Sequence, residues 1–425
     1  MHAVSDEPLA RQTTGAGSAY RGIFERAAID APFLWSLRSL AVDQPHYTLA
    51  DLAELEQRLD TQLDLLMSSL ELGWEVCLAA LDNKQAGEAF VATVVAMRMR
   101  DVKNIQIAIE AGVSEPAMFK GAVSALGWLP APLVQPWIER FLRGKDLRHK
   151  YLGIVACSVR RDDPGEALND ILSRSDCRQH VPLYTRALRL VGELRRQDAM
   201  PILQANIKSE DPHCVFWSSW SAVLLGQRGA VNHLKSFVLH PGALQRRAID
   251  IAFRVLPVDQ GREWISLMAK DPANARAVIQ ATGELGDPHA VNWLIAKMSE
   301  PSLARAAAEA FTFITGIDLE QQALIAPPPG ALPGPNDDPA DENVRLDEDE
   351  HLPWPDVDKV QSVWRTQGQQ FLVGRRYFLG KTPTPDWLKH ILLHGSQRQR
   401  HAAALELALV DANTRLLNTR AKATP

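Results

Sequence analysis

Prolines recur in this chain at a near-constant step: Pro116, Pro182, Pro212, Pro241, Pro272 and Pro301. The last four intervals are 30, 29, 31 and 29 residues, and the first, 66, is two longer units. A fixed period of roughly 20–50 residues with helical patterning inside it marks a stacked helical-repeat array. Proline suits the first position of a helix, where its missing N–H has no partner anyway and its fixed φ is already helical. Asp211 and Asp271 precede their prolines and are good N-caps. Glu115 and Glu300 are poorer caps whose charge still suits a helix N-terminus.

A helical stretch follows each proline, as in Leu183–Leu194, Ala273–Leu285 and Ser302–Thr315. Second apolar stretches begin near Leu133, Ala199, Ala230, Gly261 and Ala290, with another near Ala167. In the unit from Pro272 to Pro301, Gly286 ends the first helix, Asp287 caps the second and Pro288 opens it. Two helices per unit of about 30 residues is a short HEAT-like repeat, of the kind first recognised in phycobilisome lyases; this likeness covers roughly residues 110–320. The expected fold is all-α: a HEAT-like α-solenoid of stacked helix pairs.

Both ends depart from the repeats. Residues 1–20 are polar and Gly/Ser-rich, so disorder is expected there. Within 21–110, Thr48-Leu-Ala-Asp51 opens a helix like a capping box. Leu52, Leu55, Leu59, Leu63, Leu66 and Leu70 then fall on one face. This region reads as an N-terminal helical cap on the repeats at 111–324, since an array needs capped ends for solubility. Residues 325–356 read as a flexible acidic, Pro-rich insertion, with eight acids against Arg345 in the stretch 337–350. It is either a partner-binding segment or, more simply, a solvated loop. Residues 357–425 form a basic helical region, with eleven Lys/Arg against four Asp/Glu.

Composition excludes several classes. The net charge of −5 opposes bulk affinity for nucleic acid or membrane surfaces. The longest apolar run, Phe90–Met97, is far short of the roughly 20 residues a bilayer requires. Asp6, Glu7 and Arg11 interrupt the N-terminus, so a cytoplasmic chain is expected. Cys77, Cys157, Cys177 and Cys214 form no CxxC and read as reduced, buried thiols. No phosphate-loop, dinucleotide, nucleophile-elbow or HExxH motif is present. His390 and His394 share a helix face but lack a third ligand, and His213 and Cys214, being adjacent, cannot face one another as a dyad. The chain is expected to be non-catalytic, with no metal or cofactor.

What remains is surface for a protein partner. Trp137, Trp264 and Trp293 recur near the starts of second helices and are candidate anchors or core fillers. Arg375, Arg376, Arg398 and Arg400, close to Tyr377, Phe378 and Trp387, are candidate partner-binding residues; pairing with the acidic insertion is the simpler reading. A basic residue also stands four past several prolines: Lys120, Arg186, Arg276 and Arg305. This ladder either receives an acidic partner or, as the simpler case, pairs with the capping acids of neighbouring repeats.

Both ends also carry a more specific pattern. At the N-terminus it comprises Phe33-Leu-Trp-Ser-Leu-Arg38, Pro45-His-Tyr-Thr-Leu-Ala-Asp-Leu52, Arg58-Leu59, Leu63-Asp64 and Gly73-Trp74. At the C-terminus it comprises Leu352-Pro-Trp-Pro355, Arg376-Tyr377, Leu379-Gly380, Trp387-Leu388 and Gln397 to Ala408. Together these resemble a proteobacterial family of HEAT-like proteins whose genes often neighbour type VI secretion components, PAAR-type spike tips among them. The resemblance covers nearly the whole chain. It implies an accessory or adaptor role in loading a secreted effector or spike protein, and it brings no catalytic residue with it. Two alternatives stay open beside it: a nucleic-acid-binding protein like the HEAT-like alkylpurine DNA glycosylases, and a lyase-like repeat enzyme.

Overall fold

The computed structural model describes residues 13–330 and 347–423. Among these residues the protein is all-helical, with isolated bridges at Ile325–Pro355 and Phe378–Lys381 in place of any strand. The first eight helices are α1 (Thr13–Ala41), α2 (Leu49–Met67), α3 (Leu70–Ala80), α4 (Ala86–Met99), α5 (Val102–Ser114), α6 (Pro116–Trp128), α7 (Ala131–Arg143) and α8 (Leu147–Arg160). Then come α9 (Glu166–Ser173), α10 (Ser175–Gln179), α11 (Val181–Leu194), α12 (Met200–Asn206), α13 (Pro212–Leu224), α14 (Lys235–Leu239) and α15 (Gln245–Val255). The last are α16 (Val258–Met268), α17 (Ala275–Leu285), α18 (Val291–Lys297), α19 (Ala304–Thr315), α20 (Val357–Gln367), α21 (Pro385–His394) and α22 (Gln397–Val410). The region expected to be disordered lies partly outside the described residues, at 1–12, while its remainder enters α1 from Thr13.

The helices form two compact units. One comprises Met1–Val42, Ala50–Ala167 and Arg420–Pro425; the other comprises Asp43–Leu49 and Leu168–Thr419. The division falls near residue 167, not at the change of pattern near residue 110, because the helix pairs on either side of 110 pack continuously through α4, α5 and α6.

The first unit is built around α4. Its apolar run is buried from Ala89 through Met97, as expected of a helix that is hydrophobic all round. Gly121 of α6 lets the two helices close up, since a Cβ there would lie 2.0 Å from the Ala86 carbonyl oxygen. The leucine stripe of α2 is buried from Leu52 to Leu66, but Leu70 is exposed because α2 ends at Met67 and Leu70 opens α3. Arg38 and Glu56 form a buried ion pair, with Nη2 to Oε1 at 2.7 Å. The last turn of chain closes over it: Arg38 donates to the Ala421 carbonyl at 2.9 Å, and the Ala423 N–H donates to Glu56 at 2.7 Å. Burial pushes the Glu56 carboxyl above its ordinary value, and Arg38 opposes that rise.

In the second unit α11 packs on α13, α15 on α17, and α17 on α19, with the shorter helices α12, α16 and α18 each against the following long one. The prolines take three positions. Pro182 and Pro212 lie in the first turn of a helix, and Pro272 opens a 3-10 turn before α17. Pro241 and Pro301 precede their helices by a short turn, so the helix read from Ser302 begins at Ala304. Asp211 caps α13 by accepting from the His213 and Cys214 N–H groups at 2.8 and 3.0 Å. Of the long helices, α11, α17 and α19 end in left-handed residues, at Arg195, Gly286 and Gly316.

Candidate functional site

Three helices of the second unit carry one pattern in register. Near their starts stand Arg246 (α15), Arg276 (α17) and Arg305 (α19), at steps of 30 and 29 residues. One turn later come Asp250, Gln280 and Glu309, and one turn beyond those Arg254, Glu284 and Phe313. Residues four apart share a helix face, so α15 and α17 each present a polar stripe three residues long, which α19 matches at its first two positions. Rungs are linked sideways. Gln280 Nε2 donates to Asp250 Oδ1 at 2.8 Å, and Arg254 pairs with Glu284.

The chain covers this face with its own later segments. Glu406 on α22 accepts from Arg376 at 3.0 and 2.9 Å and lies 3.4 Å from the Arg254 Nε. At the other end of α22, Arg398 Nη1 donates to both carboxylate oxygens of Glu309 at 3.0 and 2.9 Å. A strap over residues 374–380 satisfies helix-end carbonyls: Tyr377 N–H donates to Gly286 at 2.8 Å, Leu379 to Phe313 at 2.6 Å and Gly380 to Ile314 at 3.1 Å. These are the acceptors a helix C-terminus leaves without an internal donor.

Part of the acidic insertion sits on the arginine rungs. Arg276 donates twice to the Asp349 carboxylate, at 2.6 and 2.7 Å. Arg305 bonds the Asp347 carboxylate and, at 2.9 Å, the Asp349 carbonyl oxygen. Glu348 approaches Arg276 at 3.6 Å and Arg246 at 3.8 Å, and its carbonyl accepts from Arg398. Asp349 is only 4% exposed. The solvated reading of the insertion therefore does not hold at Asp349, while Asp347 and Glu348 are exposed but bonded to arginines; residues 331–346 lie outside the described residues. The inter-repeat reading of the ladder is corrected as well. Arg276 and Arg305 bind this turn, and it is Arg262 that reaches a neighbouring capping acid, Asp287, at 2.6 Å. Lys120 instead stands 5.8 Å from the Trp35 ring.

Burial alone would raise the Asp347 carboxyl, but the Asp349 N–H and Arg305 overcome this and hold it below its ordinary value. A depressed carboxylate contributes stability above its unfolded value, near 3.9, that is lost as pH falls through the folded one. The docked turn is thus expected to stay in place from pH 7 down to about 4 and to detach only below that. Carboxyl-carbon NMR of Asp347 and amide exchange across 347–352 would follow it. Detachment already near pH 6 would show that these carboxylate contacts do not hold the turn.

The residues singled out from the sequence fall into different places. Trp264 is a core side chain at 1% exposure, so it is corrected from candidate anchor to core filler. Trp137 is half-buried under Arg140, and Trp293 is exposed beside Lys297. Arg376, Arg398 and Arg400 have their guanidinium groups engaged within the chain, Arg400 with the Leu392 carbonyl at 2.8 Å and Gln397 at 2.6 Å. Arg375 is exposed. Sequence inspection missed Arg246, Asp250 and Gln280; the available signal was register, with Arg246 standing 30 residues before Arg276 and Asp250 standing 30 before Gln280.

Other reactive groups are quiet. Burial pushes the Cys77 and Cys157 thiols up to about 12 and Cys214 up to about 11. His390 stacks on Trp387 and lies 4.6 Å from His394, and among the described residues no three metal-ligating side chains converge. The first unit carries an open groove of about 520 Å³ between α1 and α3, lined by Ile29, Pro32, Phe33, Val76 and Ala79. No described helix is long and apolar enough to cross a membrane. Comparison with known proteins returns no match: no family model matches the chain, and neither a curated protein nor a solved structure is significantly similar to it.

Proposed function

We propose that this chain is a non-catalytic, cytoplasmic protein-binding scaffold of stacked HEAT-like helix pairs, a short α-solenoid. Its role is that of an accessory or adaptor protein that loads a secreted effector or spike-tip protein in type VI secretion. The observation that carries the binding reading is the register of Arg246, Arg276 and Arg305 on successive helices. Packed helices stand roughly 8–10 Å apart, so equivalent side chains form an evenly spaced row, a geometry suited to gripping a chain at several points. The secretion context comes from the resemblance at the two ends of the sequence.

Affinity purification of the tagged full chain from its native host, with crosslinking and mass spectrometry, tests both parts. Stoichiometric recovery of a secreted effector or spike-tip protein is the expected outcome. Recovery of only abundant cytosolic background would overturn the adaptor reading.

A further inference from the structure

We infer that the row Arg246–Arg276–Arg305 is a docking site for an acidic peptide, and that the turn Asp347-Glu348-Asp349 occupies it in cis. The chain thereby competes with its own partner. The inference deepens the scaffold reading, on which it rests for the existence of that partner.

Three features separate this contact from a chance surface pairing. First, the turn is held in the way a bound peptide is held. Its carboxylates meet the rungs, while two main-chain carbonyls, of Glu348 and Asp349, accept from Arg398 and Arg305. Main-chain capture is indifferent to side-chain identity, so a foreign segment can use it equally well. A bidentate guanidinium–carboxylate fork at Asp349 supplies the specificity. Second, the turn carries a hydrogen bond of its own. The Asp349 N–H donates to Asp347 Oδ1 at 2.9 Å, fixing two carboxylates two residues apart. Any ligand able to present that pair fits. Third, the contact is graded. The Arg305 guanidinium lies 4.5 Å from the Trp354 ring, which anchors the far end of the turn. At the opposite end the side chains of Arg246 and Glu348 remain 63% and 65% exposed, 3.8 Å apart. Exposed pairs of this kind contribute about 0–1 kcal/mol, so this end can open first and admit a competitor.

Competition follows from tethering. A segment linked to its own site acts at an effective concentration on the order of millimolar, and an outside ligand's apparent affinity falls by the fraction of time the site is free. Acidic partners would therefore bind only if they outmatch the resident turn.

The test uses the full chain and a fluorescein-labelled peptide carrying Asp-Glu-Asp-Glu flanked by glycines, titrated at low salt. Wild type is expected to bind it weakly. The variant Asp347→Asn/Glu348→Gln/Asp349→Asn should bind at least ~10-fold more tightly, and adding Arg276→Glu should remove that gain. A second variant, Arg276→Glu with Asp349→Arg, retains the cis pair in reversed polarity and should not bind the peptide. Binding no tighter in a triple variant whose circular dichroism matches wild type would overturn the inference, as would a gain that survives Arg276→Glu. The scaffold reading fails separately: peptide binding as expected, with no host protein recovered from either form, leaves the docking site standing and removes the adaptor role.

Discussion

Replacing Glu406 with alanine is expected to destabilise the second unit by about 3–5 kcal/mol, the usual effect of removing one partner from a buried ion pair. Glu406 joins two arginines from distant parts of the chain, Arg254 and Arg376, and the Arg254 and Glu406 side chains are each 3% exposed. Nearby, burial pushes the Glu284 carboxyl upward against the pull of Arg254. With Glu406 gone, Arg254 keeps the Asp250 carbonyl and, as its one remaining described carboxylate, Glu284, and a guanidinium cannot shed its charge at accessible pH. Arg376 retains carbonyl acceptors, at 2.6 Å on Arg254 and 3.2 Å on Leu285, but no carboxylate among its described contacts. For a unit of this size the loss corresponds to a fall in unfolding midpoint on the order of 10 °C. Hydrogen exchange should rise across α15 and α22 and stay unchanged in α4. A double-mutant cycle with Arg376→Ala identifies the cause: the second substitution should add little to the first. Full additivity, or a loss below about 1 kcal/mol, would mean that Glu406 behaves as a solvated surface charge.

Legibility in the sequence divided along the distance between interacting residues. Features set within one or two turns of chain were readable: the caps at Asp211 and Asp271, the leucine stripe of α2 up to Leu66, and Gly286 as a helix end. Each depends on a periodicity or on local backbone chemistry. The partners of the charged segments were not readable, because Arg276 and Asp349 stand 73 residues apart and Arg38 and Ala421 stand 383 apart. An acidic run and a basic run can be recognised separately, but which rung meets which carboxylate is decided by packing. Tryptophan poses a different problem. Its size and single donor suit a core and an interface equally, so Trp264 and Trp293 looked alike in sequence and proved opposite in burial. Arg195 shows a local rule overridden. Its φ of 59° is a conformation glycine adopts most easily, yet the side chain is retained and donates to the Ala408 carbonyl at 2.7 Å. A contact 213 residues away in sequence outweighs the backbone preference.

At Gly286 backbone conformation and close packing coincide, and substituting alanine there is expected to have the second large effect. Its φ is +69°, and an added Cβ would lie 2.2 Å from the Tyr377 carbonyl oxygen, a backbone atom that cannot rotate away. The left-handed conformation itself costs a non-glycine residue about 1–2 kcal/mol. The clash must also displace the strap, and with it the Tyr377 bond to Gly286 at 2.8 Å, the Gly374 bond to Asp287 at 2.9 Å and the Arg376 bond to Leu285 at 3.2 Å. At about 1 kcal/mol per bond, the three bonds and the backbone cost together reach roughly 4–5 kcal/mol. Gly226→Ala is the matched control, since φ there is also positive, at +96°, but no atom lies within 4 Å of the added Cβ. Only the backbone part should appear at that position, so in urea unfolding Gly286→Ala should be the more destabilising by about 3 kcal/mol; equal losses would show that the strap gives way freely. The strap also carries Arg376 to Glu406. Once it is displaced, the ionic cluster has already lost one arm, so Gly286→Ala and Glu406→Ala should combine to less than their sum. That shortfall would measure how far the capping of helix ends and the buried charges act as one structure beneath the arginine row.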